Sequence, residues 1–481
     1  MSDGAQPARL LGWLMLASLA GCVSPAGIQH DQVLRDPAPL GAKAGQFAQW
    51  PSEDWWRAWN DPQLDHLMQL ALQENPSLIQ AAKRVDKATA YASAAESVLK
   101  PQVTGNVNVS RQRLSENAFY PPPYGGSWQT IADGSINAAW DLDFWGRNRS
   151  ALQSALSQVE AAKAEQAAAK LLLTTAVARA YNQLSNGLAQ QVLAQQALKQ
   201  REQEFSLIRQ RVENGLDTNL ELRQGESQVA AAREQVETLD EKIGLARNAL
   251  AALTAQDADT LKSLKPLLTQ REIQAEPTAI PADLIGRRPD LAAARLRVDA
   301  AEADIASAKA EFYPNISLSA FVGLSSFGLS KFVELGSTLA GVGPAVHLPI
   351  FDAGRLRANL KGKNVDYDLA VASYNQTLIE AVHDVADQVT SVQSVRKQIE
   401  SQRQALTAAE SAYQLAMQRY EAGISNYLTV LTASDAVVRE RARNADLNAR
   451  LTDLSIALVK SLGGGYDHPP FNQASTSERH E

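Results

Sequence analysis

The sequence is short of cysteine, of excess positive charge and of long apolar runs, and each shortage excludes a class of protein. Its 481 residues include one cysteine, so no disulfide can form within the chain and no cysteine cluster can bind a metal. Lys and Arg number 46 against 53 Asp and Glu, a net charge of −7. Nucleic-acid binding needs a concentrated basic surface, so we expect no nucleic-acid partner.

Motifs for chemistry are also missing. The 6 histidines are scattered, and no HExxH, GxSxG or P-loop pattern occurs. The sequence therefore offers no local metal site, nucleophile elbow or phosphate cradle. We expect no catalytic residue, metal or cofactor, and we predict that the protein is not an enzyme. A site assembled from residues far apart in the chain stays open at this stage.

A short apolar run stands at the beginning of the chain. It starts at Leu10, follows Arg9 and is too short to span a bilayer as a helix, which is typical of a signal peptide. The small residues before Cys22 resemble the lipobox of bacterial lipoproteins, where the signal is cut before an acylated cysteine. This resemblance implies that residues 1–21 are removed and that Cys22 is lipidated, and Val23 in place of Asp implies sorting to the outer membrane. The alternative is an unmodified thiol after an ordinary signal.

The chain contains an internal repeat. A shift of 213 residues aligns 76–101 with 289–314 at ten identical positions without a gap, and a shift of 208 aligns Gly215 with Gly423. Each half therefore follows one plan. The predicted segments are the signal peptide (1–21), an N-terminal lipid-anchored and equatorial segment (22–75), a first repeat (76–265) with a β-hairpin at about 101–142 and a helical hairpin at 147–258, a linker (266–287), a second repeat (288–465) with a β-hairpin at about 314–351 and a helical hairpin at 355–461, and a flexible tail (466–481).

Apolar and polar residues alternate in both predicted β-hairpins. Trp128 and Trp140 lie twelve residues apart on one face, about 40 Å along a strand or about 28 Å vertically at a tilt of about 45°. This spacing matches the apolar band of a membrane barrel with an aromatic girdle at each interface. We predict that Trp128 and Trp140 lie at the membrane interfaces, in contact with outer-membrane lipid. A half-buried sheet of a soluble protein is the alternative.

Four predicted strands cannot close a barrel, because the smallest membrane barrels have about eight. Open strand edges are not tolerated in lipid, so several copies must share one barrel. Two, three or four copies would give about eight, twelve or sixteen strands. Periodicity does not choose among these numbers.

Long helical stretches follow both β-hairpins. The stretch 147–211 would span about 96 Å as a helix, and apolar residues at spacings of three and four predict coiled-coil packing. The predicted fold class is therefore a coiled-coil α protein with membrane β-strands. A lipid-anchored coiled-coil spacer of the cell envelope would explain the helices and Cys22 and would leave the hairpins unexplained.

Four motifs stand in order along the chain: WWRAWNDPQL (55–64), WDLDFWGR (140–147), RRPDL (287–291) and LPIFDAGR (348–355). Together they resemble the outer-membrane factors of bacterial tripartite efflux pumps, in the lipoprotein branch of the TolC-like channels. The resemblance implies a homotrimer with a twelve-stranded outer-membrane barrel, a long periplasmic α-helical barrel, a periplasmic adaptor and an inner-membrane pump. The implied function is a passive exit duct for drugs or other small toxic molecules; a channel for type I protein secretion is the alternative.

Two glycine turns are predicted at the far ends of the long helices. Gly215 and Gly423 each follow a helix and precede a new one, which is typical of a left-handed helix cap. The family resemblance implies that these turns form the periplasmic tip, with Gly215, Leu216, Gly423 and Ile424 as adaptor contacts. A plain hairpin turn of a coiled coil is the alternative.

The resemblance also implies a pore gate next to these turns. By the family pattern Arg419, Tyr420 and Leu428 belong to it, and Glu221 joins their polar ring. Relatives carry an acidic residue where this chain has Thr432, so the charge partner of Arg419 is not identified.

Overall fold

The computed structural model describes residues 24–36, 42–43, 50–266, 280–281 and 284–468. The chain forms two compact units, one containing Arg84–Ala162 with Ala293–Asn375 and the other containing Lys163–Ala292 with Gln376–Glu481. Both units take segments from both repeats, so the compact units do not coincide with the repeats.

The main elements are α1 (Pro62–Glu74), α2 (Pro76–Ser97), β1 (Gln102–Arg113), β2 (Trp128–Asp141), α3 (Arg147–Glu213), α4 (Asn219–Thr254), α5 (Pro289–Ala310), β3 (Asn315–Phe327), β4 (Thr338–His347), α6 (Arg355–Glu421) and α7 (Tyr427–Ser461).

The first unit contains an antiparallel sheet with the strand order β1-β2-β3-β4. Val107 pairs with Gly134, which pairs in turn with Leu324. In a single chain β1 and β4 are the sheet edges. Pro344 lies in the edge strand β4, where the missing amide hydrogen is tolerated.

The two faces of this sheet differ in polarity. Residues paired directly across antiparallel strands share a face, so the register places Trp128, Trp140 and Ile136 on one face with Val107 and Val322. These five side chains are 39% to 79% exposed. The opposite face is mostly polar and carries Gln102, Thr104, Asn106, Asn108, Gln129, Asp133, Ser135, Asn137, Asn315, Ser317, Ser319, Phe321 and Ser325.

An aspartate starts each long helix after the sheet. Asp143 accepts hydrogen bonds from the amides of Asn148 at 3.0 Å and Arg149 at 2.9 Å. Asp352 accepts one from the amide of Leu356 at 2.7 Å. A carboxylate at a helix N-terminus satisfies free amides and favours the helix dipole, so the helices begin where the strands end.

α3 and α6 each contain 67 residues, a length of about 100 Å at 1.5 Å per residue. Each begins in the first unit and ends in the second. α4 has 36 residues and α7 has 35. The two halves of the chain therefore have helical hairpins of nearly equal length.

The core of the second unit surrounds α1. Asp61 caps α1 by accepting from the amide of Gln63 at 3.0 Å, and it also accepts from the hydroxyl of Tyr181 at 2.8 Å. This joins the start of α1 to α3. The buried cluster contains Trp55, Trp56, Leu64, Leu67, Met68, Ala71, Leu173, Val177, Ala178, Ala180, Tyr181, Leu184, Ile243, Ala246, Leu250, Ala251, Leu261, Ile456 and Val459.

No helix among the described residues is both long enough and apolar enough to cross a membrane. The predicted signal peptide and the predicted lipidation at Cys22 lie outside the described residues, as do most of the predicted linker and most of the predicted tail. The described chain begins at Ser24, whose carbonyl accepts a hydrogen bond from Arg357 in the first turn of α6.

Candidate functional site at the two helical turns

The turn between α3 and α4 is a glycine turn. α3 ends at Glu213, and Gly215 adopts φ +71°. The amide of Gly215 donates to the carbonyl of Val212 at 3.0 Å, and the amide of Leu216 donates to the carbonyl of Arg211 at 2.8 Å. These bonds satisfy carbonyls that a helix end would leave unpaired. Glycine fits here because an L side chain is strained at this φ.

The turn between α6 and α7 has the same geometry. Gly423 adopts φ +76°, its amide donates to the carbonyl of Tyr420 at 3.0 Å, and the amide of Ile424 donates to the carbonyl of Arg419 at 3.0 Å. A Cβ added at Gly215 or Gly423 would meet nothing within 4 Å. The backbone conformation, and not crowding, therefore selects glycine at both turns.

Side chains cap the helix that follows each turn. The predicted capping box of α4 is confirmed: Leu220 donates its amide to the Thr218 hydroxyl at 3.1 Å, and Thr218 donates its own amide to Glu221 at 2.9 Å. The hydrogen bond from the Thr218 hydroxyl lowers the pKa of Glu221. Asn426 caps α7 by accepting from the amide of Thr429 at 3.2 Å. The Glu221 carboxylate is thus engaged at the start of its own helix.

Aliphatic side chains at both turns remain exposed. Leu216 is 65% exposed and Ile424 is 68% exposed, and the nearby Leu220 and Leu428 are 63% and 56% exposed. Clustered exposed apolar side chains typically mark an interaction surface. The described residues of this chain leave the surface uncovered.

A three-residue link joins the two turns. Arg211 donates from Nε to Oδ2 of Asp217 at 2.9 Å, and the hydroxyl of Tyr420 donates to the same oxygen at 2.8 Å. The guanidinium of Arg211 lies 4.6 Å from the ring centroid of Tyr420, a favourable cation–π contact. Asp217 belongs to the first turn and Tyr420 to the second, so this Arg211–Asp217–Tyr420 link ties the turns together.

The link also fixes the charge of its members. Burial raises the pKa of Asp217, but hydrogen bonds from Arg211 and Tyr420 outweigh it and hold the pKa below its usual value. Burial, and then the hydrogen bond to Asp217, raise the pKa of Tyr420. Tyr420 therefore stays a neutral donor and Asp217 a charged acceptor at neutral pH.

Tyr420 is 2% exposed. Its ring centroid lies 5.9 Å from that of Tyr427, and the surrounding side chains come from α3, α6 and α7. Aromatic pairs at such distances stabilise a core beyond the area they bury. The buried cluster contains Ile208, Ala416, Tyr420, Tyr427, Val430 and Leu431.

A second polar cluster lies further along the same helices. Arg201 is 5% exposed, donates to Glu204 at 3.0 Å and also pairs with Asp435 of α7. The hydroxyl of Tyr413 in α6 donates to Glu204 at 3.1 Å. Removing one member of a buried ion cluster strands the remaining charge. This cluster therefore holds α3 against α6 and α7.

The other predicted gate residues lie on the surface. Arg419 and Thr432 are exposed, and the Thr432 hydroxyl donates to the carbonyl of Leu428 at 2.8 Å. No ion pair of the Arg419 side chain occurs among the described residues. The structure thus brings Tyr420 to the first turn through Asp217 and leaves Arg419, Leu428 and Thr432 uncovered. Their role as a gate stays a prediction.

Sequence reasoning missed Asp217. Its position directly after Leu216 predicts only a helix start, and its partner Tyr420 lies 203 residues away. The one local signal was the opposite charge of Arg211, six residues before Asp217. The glycine turn between them brings the two side chains together. In the described ranges no group of three or more His, Cys, Asp or Glu side chains could hold a metal ion.

The exposed face of the sheet is the second candidate functional surface. The indole of Trp140 donates to the carbonyl of Leu99 at 2.9 Å, which fixes one end of this face. Trp128 lies at its other end and is 63% exposed. Large exposed apolar surfaces mark contacts with another chain or with a membrane.

The fold is that of an outer-membrane channel of the TolC-like type. The family described as "Outer membrane efflux protein" matches residues 67–256 and again 280–464. The chain therefore belongs to this family, and the two matches correspond to its two repeats. It is a transport component and not an enzyme.

Relatives agree over almost the whole chain. The chain is 33% identical over 475 residues to the multidrug resistance outer membrane protein MdtP of Escherichia coli O6:H1, covering 96% of both. It is 32% identical over 467 residues to the putative multidrug resistance outer membrane protein MdtQ of Shigella flexneri, covering 94% of this chain and 97% of that protein.

Solved structures agree as well. The outer membrane protein VceC of Vibrio cholerae has 35% identity and a TM-score of 0.82, covering 87% of this chain and 100% of that chain. The outer-membrane channel OprN has 26% identity and a TM-score of 0.79, covering 92% and 98%. The protein is accordingly an outer-membrane efflux channel.

Proposed function

We propose that this chain is the exit duct of a tripartite multidrug efflux system. It passes drugs or other small toxic molecules across the outer membrane, while an inner-membrane pump supplies the energy through a periplasmic adaptor. One observation carries this proposal: an exposed apolar sheet face continues, through two 67-residue helices, into turns with exposed aliphatic side chains. The first surface suits lipid and the second suits another protein.

The duct is a homotrimer. Each chain contributes four strands and, alone, leaves the outer edges of β1 and β4 unpaired. Unpaired edges in lipid cost several kcal/mol for each unsatisfied group, on the order given for buried polar groups. Three chains joined edge to edge form a barrel of about twelve strands, within the range of membrane barrels.

The apolar sheet face contacts outer-membrane lipid. Trp128 and Trp140 mark its two ends, and tryptophan prefers the membrane interface because its ring is apolar and its N–H is polar. The helices leave the sheet at the Trp140 end, where α3 follows β2 within six residues. That end faces the periplasm, and the strand loops face outwards.

A lipid on Cys22 anchors each chain at the periplasmic end of the sheet. Ser24 lies two residues after Cys22, and its carbonyl is bound by Arg357, near the junction of β4 and α6. The anchor would therefore begin beside the membrane. Cys22→Ser should abolish labelling by radioactive fatty acid; labelling that persists would contradict the anchor and leave the channel untouched.

The two glycine turns form the periplasmic tip. Gly215, Leu216, Gly423 and Ile424 provide the adaptor contact, because both aliphatic side chains are largely exposed among the described residues. Arg419 and Leu428 are exposed next to the turns and close the resting pore around the trimer axis. Tyr420 acts from behind by holding the first turn through Asp217.

The test uses a host strain that lacks its own outer-membrane channel, complemented with this chain and a matching adaptor and pump. We expect restored drug resistance, and a purified mass of three chains with ion conductance in planar bilayers. A mass of two or four chains would refute the trimer. If the complemented strain stays as drug-sensitive as the host but secretes a type I protein substrate normally, the secretion channel is favoured. Absent conductance would favour a structural spacer.

A further inference from the structure

The loop between β3 and β4 folds over the apolar face of the sheet. The amide of Gly328 donates to the carbonyl of Thr130 at 2.7 Å. A Cβ added at Gly134 would lie 3.0 Å from Cζ of Phe332. Gly134 shares its face with Trp128 and Trp140, so Phe332 covers the apolar face. Ala132, on the same face, is 0% exposed.

This loop, Gly328–Ser337, presents apolar side chains to its surroundings. Leu329 is 61% exposed, Val333 is 81% exposed and Leu335 is 94% exposed. Phe332 thus fastens the loop to the sheet, while the remaining aliphatic side chains point away from this chain's described residues. Exposed aliphatic side chains grouped in this way are typical of a contact with another apolar surface.

The other strand loop, between β1 and β2, takes the opposite course. Tyr124 stacks on Phe327 with ring centroids 4.9 Å apart, and Tyr120 meets the same ring at 6.1 Å. Phe327 pairs with Ile131 and therefore belongs to the mostly polar face. Only the β3–β4 loop lies on the apolar face, so its exposed aliphatic residues extend that face.

Two cations of β1 lie on the apolar face, and a third belongs to the β3–β4 loop itself. Arg111 pairs with Thr130 and Arg113 with Trp128 across the β1–β2 ladder. The loop begins at Gly328, bonded to the same Thr130, and carries the exposed Lys331. Arg113 pairs with Glu116 at 3.2 Å. For Arg111 and Lys331 the described part of the chain provides no ion partner.

We propose that Arg111 and Lys331, with Leu329, Val333 and Leu335, form a binding surface for a phosphate-bearing lipid of the outer leaflet. The cations bind the phosphate, and the aliphatic side chains contact the acyl chains. Charge favours this occupant, because cations next to exposed aliphatic side chains complement an amphiphile with an anionic head. The inference rests on the proposed function, which places this face in the membrane.

The test counts bound lipid on the full-length protein. The purified channel in detergent receives lipid A, a phosphorylated glycolipid, or phosphatidylcholine, and native mass spectrometry measures the retained lipid at each concentration. We expect preferential retention of lipid A. Arg111→Gln with Lys331→Gln should weaken it by about fivefold for each cation removed.

A matched control removes two exposed cations elsewhere. Arg403 and Lys262 are 72% and 68% exposed, and Arg403→Gln with Lys262→Gln should retain lipid A like the unaltered chain. Equal loss in both pairs would reduce the effect to net charge and overturn the site. Displacement of lipid A by inorganic phosphate alone, or equal retention of phosphatidylcholine, would also overturn it.

A second variant tests the apolar half of the surface. Leu329→Ser, Val333→Ser and Leu335→Ser together should lower lipid A retention while the far-ultraviolet circular dichroism and the oligomer mass stay unchanged. Full retention would contradict the acyl contact. Conductance of the unaltered protein is measured separately, so a conducting channel without lipid selectivity would remove the lipid surface and leave the proposed duct standing.

Discussion

The two helical turns share a backbone and differ in what surrounds their arginines. Arg211 is 18% exposed and bound to Asp217, whereas Arg419 is exposed and has no ion partner in the described ranges. Both arginines stand four residues before their turn glycine. The difference comes from the position two residues after that glycine, which is Asp217 in the first turn and Ser425 in the second.

This contrast shows which features of the turn are the same in both repeats and which differ. The glycine and the helix caps recur because the backbone requires them. The carboxylate does not recur, so the first turn pairs its arginine with Asp217 and the second leaves Arg419 without an ion partner among the described residues.

The largest effect is expected at the shared backbone. Gly215→Pro or Gly423→Pro should abolish drug export without preventing trimer formation, because proline fixes φ near −65° and both glycines need positive φ. Minimum inhibitory concentrations and the purified mass measure the two outcomes. Asparagine tolerates the left-handed region, so Gly215→Asn is the control and should retain export. Normal export by the proline variants would remove the tip assignment.

The next largest effect separates the exposed gate residue from the buried one. Leu428→Ser combined with Tyr420→Ala should raise single-channel conductance, because it removes an exposed aliphatic side chain and the support behind it. Leu428→Ser alone should raise conductance with little change in thermal stability, since its side chain is 56% exposed. Conductance unchanged in both variants would contradict the gate.

Breaking the Arg211–Asp217–Tyr420 link should lower the stability of the protein. Asp217→Ala removes the acceptor of Arg211 and Tyr420, and hydrogen bonds to a charged group contribute on the order of 1.5–3 kcal/mol. We expect a lower melting temperature of the detergent-solubilised protein. The control Asp259→Ala removes a carboxylate that is 73% exposed and should leave the melting temperature nearly unchanged. Equal shifts in the two variants would contradict the Arg211–Asp217–Tyr420 link.

The same link predicts a pH dependence. The pKa of Asp217 is lowered in the folded protein, so its contribution is complete above the ordinary carboxyl pKa of about 4. It is lost as the pH falls through the lower folded value. The difference in melting temperature between the unaltered chain and Asp217→Asn should therefore shrink below about pH 4. A difference that grows on acidification would contradict the ionised state.

The smallest effect is expected from making the second turn like the first. Ser425→Asp would place a carboxylate two residues after Gly423, within reach of Arg419. An exposed ion pair contributes about 0–1 kcal/mol, so the melting temperature should hardly move. The conductance of the resting channel should change more than the stability if Arg419 serves a neighbouring chain. A shift as large as that of Asp217→Ala would show that the two turns differ little.

Local patterns predicted much of this fold. The prolines at 101 and 314, the alternation after them and the two glycine turns each act on neighbouring residues, and the strands, caps and helices lie close to where those patterns place them. The capping box of Thr218 and Glu221 is confirmed for the same reason. Short-range geometry can be read from one sequence because the partners lie within a few residues.

Contacts between distant segments could not be predicted in this way. The family pattern assigns Tyr420 to the pore gate, and the structure buries its ring against Tyr427 while Asp217, on the other repeat, accepts from its hydroxyl. The β3–β4 loop packs Phe332 over Gly134 of β2. This packing depends on glycine at 134, because a Cβ there would lie 3.0 Å from Cζ of Phe332. No periodicity within Gly328–Ser337 indicates which face that loop covers.

The equal length of α3 and α6 restricts how this protein can evolve. One inserted residue would lengthen a helix by about 1.5 Å and rotate its end by about 100°, which would carry Asp217 away from Tyr420. Insertions in either helix must therefore be matched in the other. The two halves obey this restriction: both helices have 67 residues, and the five-residue difference between the repeat shifts of 213 and 208 falls in the β-hairpins.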